Sequence, residues 1–366
     1  MSLALLKQRV SANQFYFALY LSVLSTVFMY LSSPNIKVSQ TDSILRPVVF
    51  CVLSIVSVIP SMIVVRKHRQ LKKERKYIEN TPFLKIIALI YGVVFFLSLV
   101  KTFARFDLFV SSELFPNADM TIFLACIVGV CVALSFLDIG ALGRASVVFA
   151  LVVVSSTALV MLSLSQELDF LNFTPLMENG FDKFLGEGTL FALQAMEIGL
   201  ITVFSTQLEG NVEKGFVVWS VLSSVTFAAI FFFVVGVLGG FADTQLFPTY
   251  TAVSLASFGL LERVDALETA VWILCIVLKA ALFSLAIIKS FHVSFPKLSR
   301  KITGTALFIV CSVLINFISS DIERFSFLSS DFLTVALFIL STIILPVCVI
   351  LNMRRVKPVE KLQEDI

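Results

Sequence analysis

Apolar residues along this chain do not alternate with polar ones. They come in runs of about 18 to 25, long enough to cross a hydrocarbon core of about 30 Å at about 1.5 Å per residue. The runs predict about ten spans, near 15–32, 46–65, 83–102, 120–138, 146–164, 188–206, 215–239, 268–288, 303–320 and 332–352. Helices are the required reading, because a backbone amide without a partner in lipid costs several kcal/mol and the runs are too long and uniform for barrel strands. The chain therefore reads as one polytopic membrane domain over 1–366, ending in a short tail from about 353.

Polar punctuation sets an expected orientation. Between the second and third runs lies RKHRQLKKERK, with Arg66, Lys67, Arg69, Lys72, Lys73, Arg75 and Lys76. Basic loops stay in the cytoplasm, and counting alternate loops puts Lys7, Arg9, Arg144, Lys214, Lys297, Arg300, Lys301 and the C-terminal Arg354, Arg355, Lys357 and Lys361 on that same side. Both termini are then expected to be cytoplasmic. The 66–76 run reads as a topology determinant, with an anionic-lipid or partner-binding patch as the alternative. Two exterior connections, 165–187 and 240–267, are long and apolar, and are expected to fold back onto the helices as caps or gates.

Composition agrees with the pattern: 58% of residues are hydrophobic and 14% charged, with a mean hydropathy of +0.97. The net charge of +3 is no nucleic-acid signature, since the basic residues sit in loops between apolar runs. Cys51, Cys126, Cys131, Cys275, Cys311 and Cys348 all fall within apolar runs without CxxC spacing, and packing is their reading. His68 and His292 lie in basic loops, so the sequence offers no metal site. No cleaved signal is expected at the N-terminus, because the first run is full length.

Charged groups inside spans face a cavity or a partner by default. Glu197 sits near the middle of the sixth run, with Gln194 on the same helical face and Gly199 just downstream. A glycine there marks either a broken helix lining a mid-membrane site or a close approach of two helices. Lys279 lies halfway along the eighth run and projects from the same face as Trp272. It is expected to share an interior cavity with Glu197, the alternative being a side chain that snorkels to the interface. At the outer end of the third run, Lys101 and Arg105 read as interfacial anchors or as an exterior vestibule for a carboxylate, with Tyr91 nearer the centre. No nucleophile with an adjacent base, metal-ligand cluster or phosphate loop appears, so neither an enzyme nor a cofactor is expected.

The stretch FPTYTAVSLASFGLLERVDALETAVWILCIVLKAALF resembles the permease-like B subunit of bacterial spore germinant receptors. The matching positions are Phe247 and Pro248, then Leu261, Glu262 and Arg263, then Trp272 with Lys279; ELFP, IGALGRAS with Gly140 and Arg144, and NFTPLMENG with Pro175, Asn179 and Gly180 agree in order. The resemblance runs from about residue 80 to residue 290. It implies the fold of amino-acid/polyamine/organocation transporters, two inverted five-helix repeats around a ligand site with the first and sixth helices broken. It also implies the inner membrane of the dormant spore, A and lipoprotein C partner subunits, and sensing of an amino acid or other nutrient. The first run lacks the glycine motif that usually unwinds that helix, leaving Ser22, Ser25 and Thr26 to satisfy a break, or else a continuous helix and an altered site. A secondary amino-acid transporter is the alternative function. A scaffold with a vestigial pocket would follow from an unbroken first helix without a cavity.

Overall fold

The computed structural model describes residues 9–29, 40–74, 76–78, 81–116, 121–175, 180–256, 264–353 and 356–358. Helices begin where the sequence offers a cap. Ser11 accepts from the amide of Gln14 at the start of α1 (Ala12–Phe28), and Thr81, followed by Pro82, opens the long α4 (Pro82–Phe109). Each side-chain oxygen satisfies an amide that the first helical turn leaves without a partner.

Between those two, α2 (Arg46–Ser57) and α3 (Ile59–Lys73) form one apolar rod. After α4 come α5 (Thr121–Leu134) and α6 (Ile139–Leu164). The next segment is divided into α7 (Phe181–Ala192) and the short α8 (Leu200–Phe204). Then follow α9 (Val212–Leu238), the connecting α10 (Pro248–Ser254), α11 (Val264–Ser294) and α12 (Arg300–Ser319). A last rod is built from α13 (Ile322–Ser329), α14 (Asp331–Ile339), a π turn at Leu340–Ile344, and α15 (Leu345–Asn352).

Seven of these helical rods are long and apolar enough to cross a membrane, and α7 with α8 makes an eighth if the pair is one span. The chain is thus an all-helical, multi-pass membrane protein, and each of the ten predicted segments overlaps a helix. Side chains such as Ile122, Leu151 and Phe332 point outward almost fully exposed, as a lipid-facing surface requires.

The core column is α11. In its most apolar stretch 83% of residues are buried, against 28% in α12, so α11 stands at the centre and α12 at the rim. It packs against α4, α1, α5 and α6. At one end of the bundle the basic segments meet. Val10–Ser11 pairs in parallel with Leu208–Glu209, and Lys76–Ile78 pairs antiparallel with Val356–Pro358. Arg9 reaches Glu209 at 2.9 Å, Arg66 forms a two-pronged pair with Glu213, and Arg69 donates to the carbonyl of Gly210. Gly140 belongs here because a Cβ would stand 2.9 Å from the Arg9 carbonyl oxygen, so any larger residue would push the chain start away.

The described residues of both long connections fold back onto the helices. Asp169 and Asn172 bond the Gly236 carbonyl at the end of α9, and Phe247 and Tyr250 pack edge-on against Phe109.

Of the two alternatives for the first helix the continuous one holds, against the break that the family resemblance implies: α1 runs unbroken from Ala12 to Phe28. It contains neither glycine nor proline, and the Ser25 hydroxyl bonds back to the Ser22 carbonyl at 2.7 Å instead of filling a gap. One expectation needs correction: the third span does not end near residue 102. It runs on to Phe109, and Lys101 and Arg105 are buried in the protein interior instead of standing at its surface as anchors.

Candidate functional site

The break in the sixth segment has a definite construction. Helix α7 closes with the amide of Leu193 on the Thr189 carbonyl, the chain leaves helical geometry at Ala195 (φ −78°, ψ 58°), and a tight turn over Met196–Gly199 leads into α8. The two halves are bent by 46°. Gly199 permits the turn to press on the last rod, since a Cβ there would lie 3.0 Å from Ser341 Cβ and 3.1 Å from the Ser341 carbonyl oxygen. Both readings of that glycine therefore apply, a broken helix and a close approach. The facing partner is the π turn at Leu340–Ile344, a helix irregularity of the kind that often marks functional sites.

Glu197 lies within this turn and is fully buried. Its Oε1 meets Lys279 Nζ of α11 at 2.8 Å and accepts from Ser22 Oγ of α1 at 3.1 Å. Lys279 also donates to Thr26 Oγ1 at 2.7 Å and lies 5.5 Å from the centre of the Phe283 ring. Three elements are thereby joined: the break, the first helix and the central column. Glu197 Oε2 has no hydrogen-bond partner among the described residues.

Beside the pair lies a cavity of about 30 Å³, enough for a water molecule or two. Its wall includes Lys279, Gln194 and Thr26, and also Lys101, Arg105 and Thr102 from α4. Lys101 donates to Thr334 Oγ1 of α14, and Arg105 NH1 donates to Gln194 Oε1 at 2.8 Å. Three cationic side chains thus face one small hollow, and Glu197 stands behind Lys279 without touching the wall. A low-dielectric hollow focuses such charge, which suits it to an anionic group.

A family model described as spore germination protein matches residues 9–325. The chain belongs to the spore germination protein family. No curated protein matches it. In this spore germination protein the matched region takes in both halves of the broken segment, the Glu197–Lys279 pair and the cations of α4, while Thr334 and the π turn lie beyond it.

The remaining sequence candidates distribute as follows. Ser22, Thr26, Gln194, Glu197 and Lys279 converge at the site. Ser25 is buried nearby and spends its hydroxyl within α1. Tyr91 is elsewhere: it donates to the Ser341 carbonyl at 3.1 Å and stacks on Phe95, behind the break. Phe247 is buried against Phe109, and Pro248 supplies the first turn of α10. Trp272 stacks on Phe28 with ring centres 4.6 Å apart and donates to Glu268 Oε1 at 3.2 Å. Glu262 and Arg263 lie outside the described residues, as does Asn179.

Sequence reasoning missed two buried groups. Glu268 accepts from Ser156, Thr157 and Trp272, and its position four residues before Trp272 on α11 was the available signal. Arg46 and Glu187 form a buried pair at 2.8 Å that ties α2 to α7. Their partnership spans 141 residues, so no local pattern reveals it.

Proposed function

We propose that this chain is the nutrient-sensing subunit of a spore germinant receptor, with its ligand site in the hollow beside Lys279. The observation that carries the reading is the broken sixth segment. It holds a buried carboxylate against a buried lysine at the centre of an apolar bundle, an arrangement too costly to keep for packing alone. In this reading the chain crosses the spore's inner membrane ten times as two inverted five-helix repeats, with both termini in the cytoplasm. The gathering of basic segments at one end of the bundle supports that orientation. An A subunit and a lipoprotein C subunit are the expected partners, and an amino acid the expected nutrient.

The hollow is far smaller than the roughly 300 Å³ of ordinary ligand pockets, so it corresponds to a closed state that a ligand must widen. A nutrient can drive such a change only by binding the open form more tightly, by about 5.5 kcal/mol for a near-complete switch. Spores carrying Glu197→Gln together with Lys279→Met, which strands neither charge, should germinate weakly in nutrient while holding near-normal amounts of the protein. A fully normal response would remove the pair from the site.

The continuous first helix favours a second reading, a scaffold whose pocket no longer binds. Under it, the same double variant, folded and present in normal amounts, would respond to nutrient as the unaltered chain does. Uptake of labelled amino acids by proteoliposomes holding this chain alone would instead identify a secondary transporter.

A further inference from the structure

We propose that the ligand of this hollow carries a carboxylate and that Lys101 and Arg105 of α4 are its direct contacts. This rests on the nutrient-sensing reading and adds which chemical group is held and by what. The ion pair within the site leaves Lys101 unanswered. Lys279 has Glu197 at 2.8 Å, whereas Lys101, buried on the same wall, donates only to the neutral hydroxyl of Thr334 and makes no ion pair among the described residues. The carboxylate of Asp331 on α14 attracts Lys101 without forming an ion pair with it, so a buried lysine that bonds only a hydroxyl gains from an anion that can reach it directly.

Arg105 stands four residues further along α4, on the same face. Its guanidinium is aimed by the bond to Gln194 at the mouth of the break. A guanidinium presents a planar fork and an ammonium a point charge, and one carboxylate can meet both.

The geometry also says what binding would change. Thr334 Oγ1 donates to the Ser330 carbonyl at 2.9 Å, so towards Lys101 it acts as an acceptor and ties α14 to α4. A carboxylate taking over Lys101 releases that tie. Helix α14 continues through the π turn that rests on Gly199 at the back of the break. Ligand arrival in front of the break is thereby passed to the last rod behind it.

The test uses the purified full chain in lipid nanodiscs, with the proteinogenic amino acids and their C-terminal amides as probes and thermal unfolding as the readout. At least one amino acid should raise the unfolding temperature while its amide does not. Lys101→Met should raise that amino acid's half-saturating concentration about tenfold or more. Thr334→Val, which removes the competing hydroxyl, should leave it unchanged or lower it. An amide that stabilises as well as its acid would overturn the carboxylate assignment and leave the nutrient site standing. No stabilisation by any amino acid would overturn both. Unaltered affinity in a folded Lys101→Met chain would remove the lysine, and if that variant does not fold, the acid–amide comparison on the unaltered chain still decides.

Discussion

Lys279 and Glu197 hold each other where neither could stand alone. Removing one member of a buried pair strands the other charge, at about 3–5 kcal/mol, whereas removing both strands neither. Lys279→Met should therefore lower the unfolding temperature of the solubilised protein sharply, and Glu197→Gln with Lys279→Met should recover most of the loss. The exchanged pair, Glu197→Lys with Lys279→Glu, should likewise yield more folded protein than either single reversal. Equal loss in single and double variants would mean that the 2.8 Å contact is not what fixes these residues. The pair was legible in the sequence because an ionisable residue in the middle of an apolar run has few ways to exist. Lys101 and Arg105 were seen but misplaced. Their position depends on how far α4 runs past its apolar stretch, and charged residues at the edge of a run look alike whether they face water or a hollow.

At the scale of elements, the two halves of the broken segment are anchored differently. Helix α7 is tied to α2 by Arg46 and Glu187. The short α8 is held at its end by Lys289 of α11, which donates to the Val203 carbonyl at 2.8 Å and to Gln207 Oε1 at 2.7 Å. A five-residue helix has little stability of its own, and its final carbonyls need outside donors. Lys289→Met should weaken this anchor by about 1–3 kcal/mol. Hydrogen exchange should rise over residues 200–208 and stay unchanged over 181–192. A uniform rise across both halves would show that the segment moves as one piece. Gly199 hinted at this break, but its partners could not be read from sequence, since they lie from 82 to 175 positions away along the chain. The first helix, where a break was one of two alternatives, is continuous: Ser22 and Thr26 bond to the Glu197–Lys279 pair instead of satisfying a gap.

For the whole molecule, apolar run length recovered the helical architecture almost unaided, because in lipid only helices and closed barrels satisfy their amides and these runs are too long and uniform for barrel strands. The gathering of Arg9, the 66–76 segment, Glu209 and residues 356–358 at one end makes the topology testable. In a chain stripped of its native cysteines, Lys72→Cys should react with a membrane-impermeant thiol reagent only from the cytoplasmic side. Leu171→Cys, in an exposed connection, should react only from the other. Labelling of both from one face would overturn the orientation.

The small hollow beside Lys279 is proposed to open and be filled by nutrient. Met29 is buried on its wall and makes none of the polar contacts described above, so a cysteine there reports on the hollow with little disturbance. With Met29→Cys as the sole cysteine, the rate of reaction with a small water-soluble thiol reagent in spore membranes is the decisive quantity. Measurable reaction that slows in the presence of a nutrient to which the intact spores respond is the expected result. A rate indifferent to every such nutrient would contradict it.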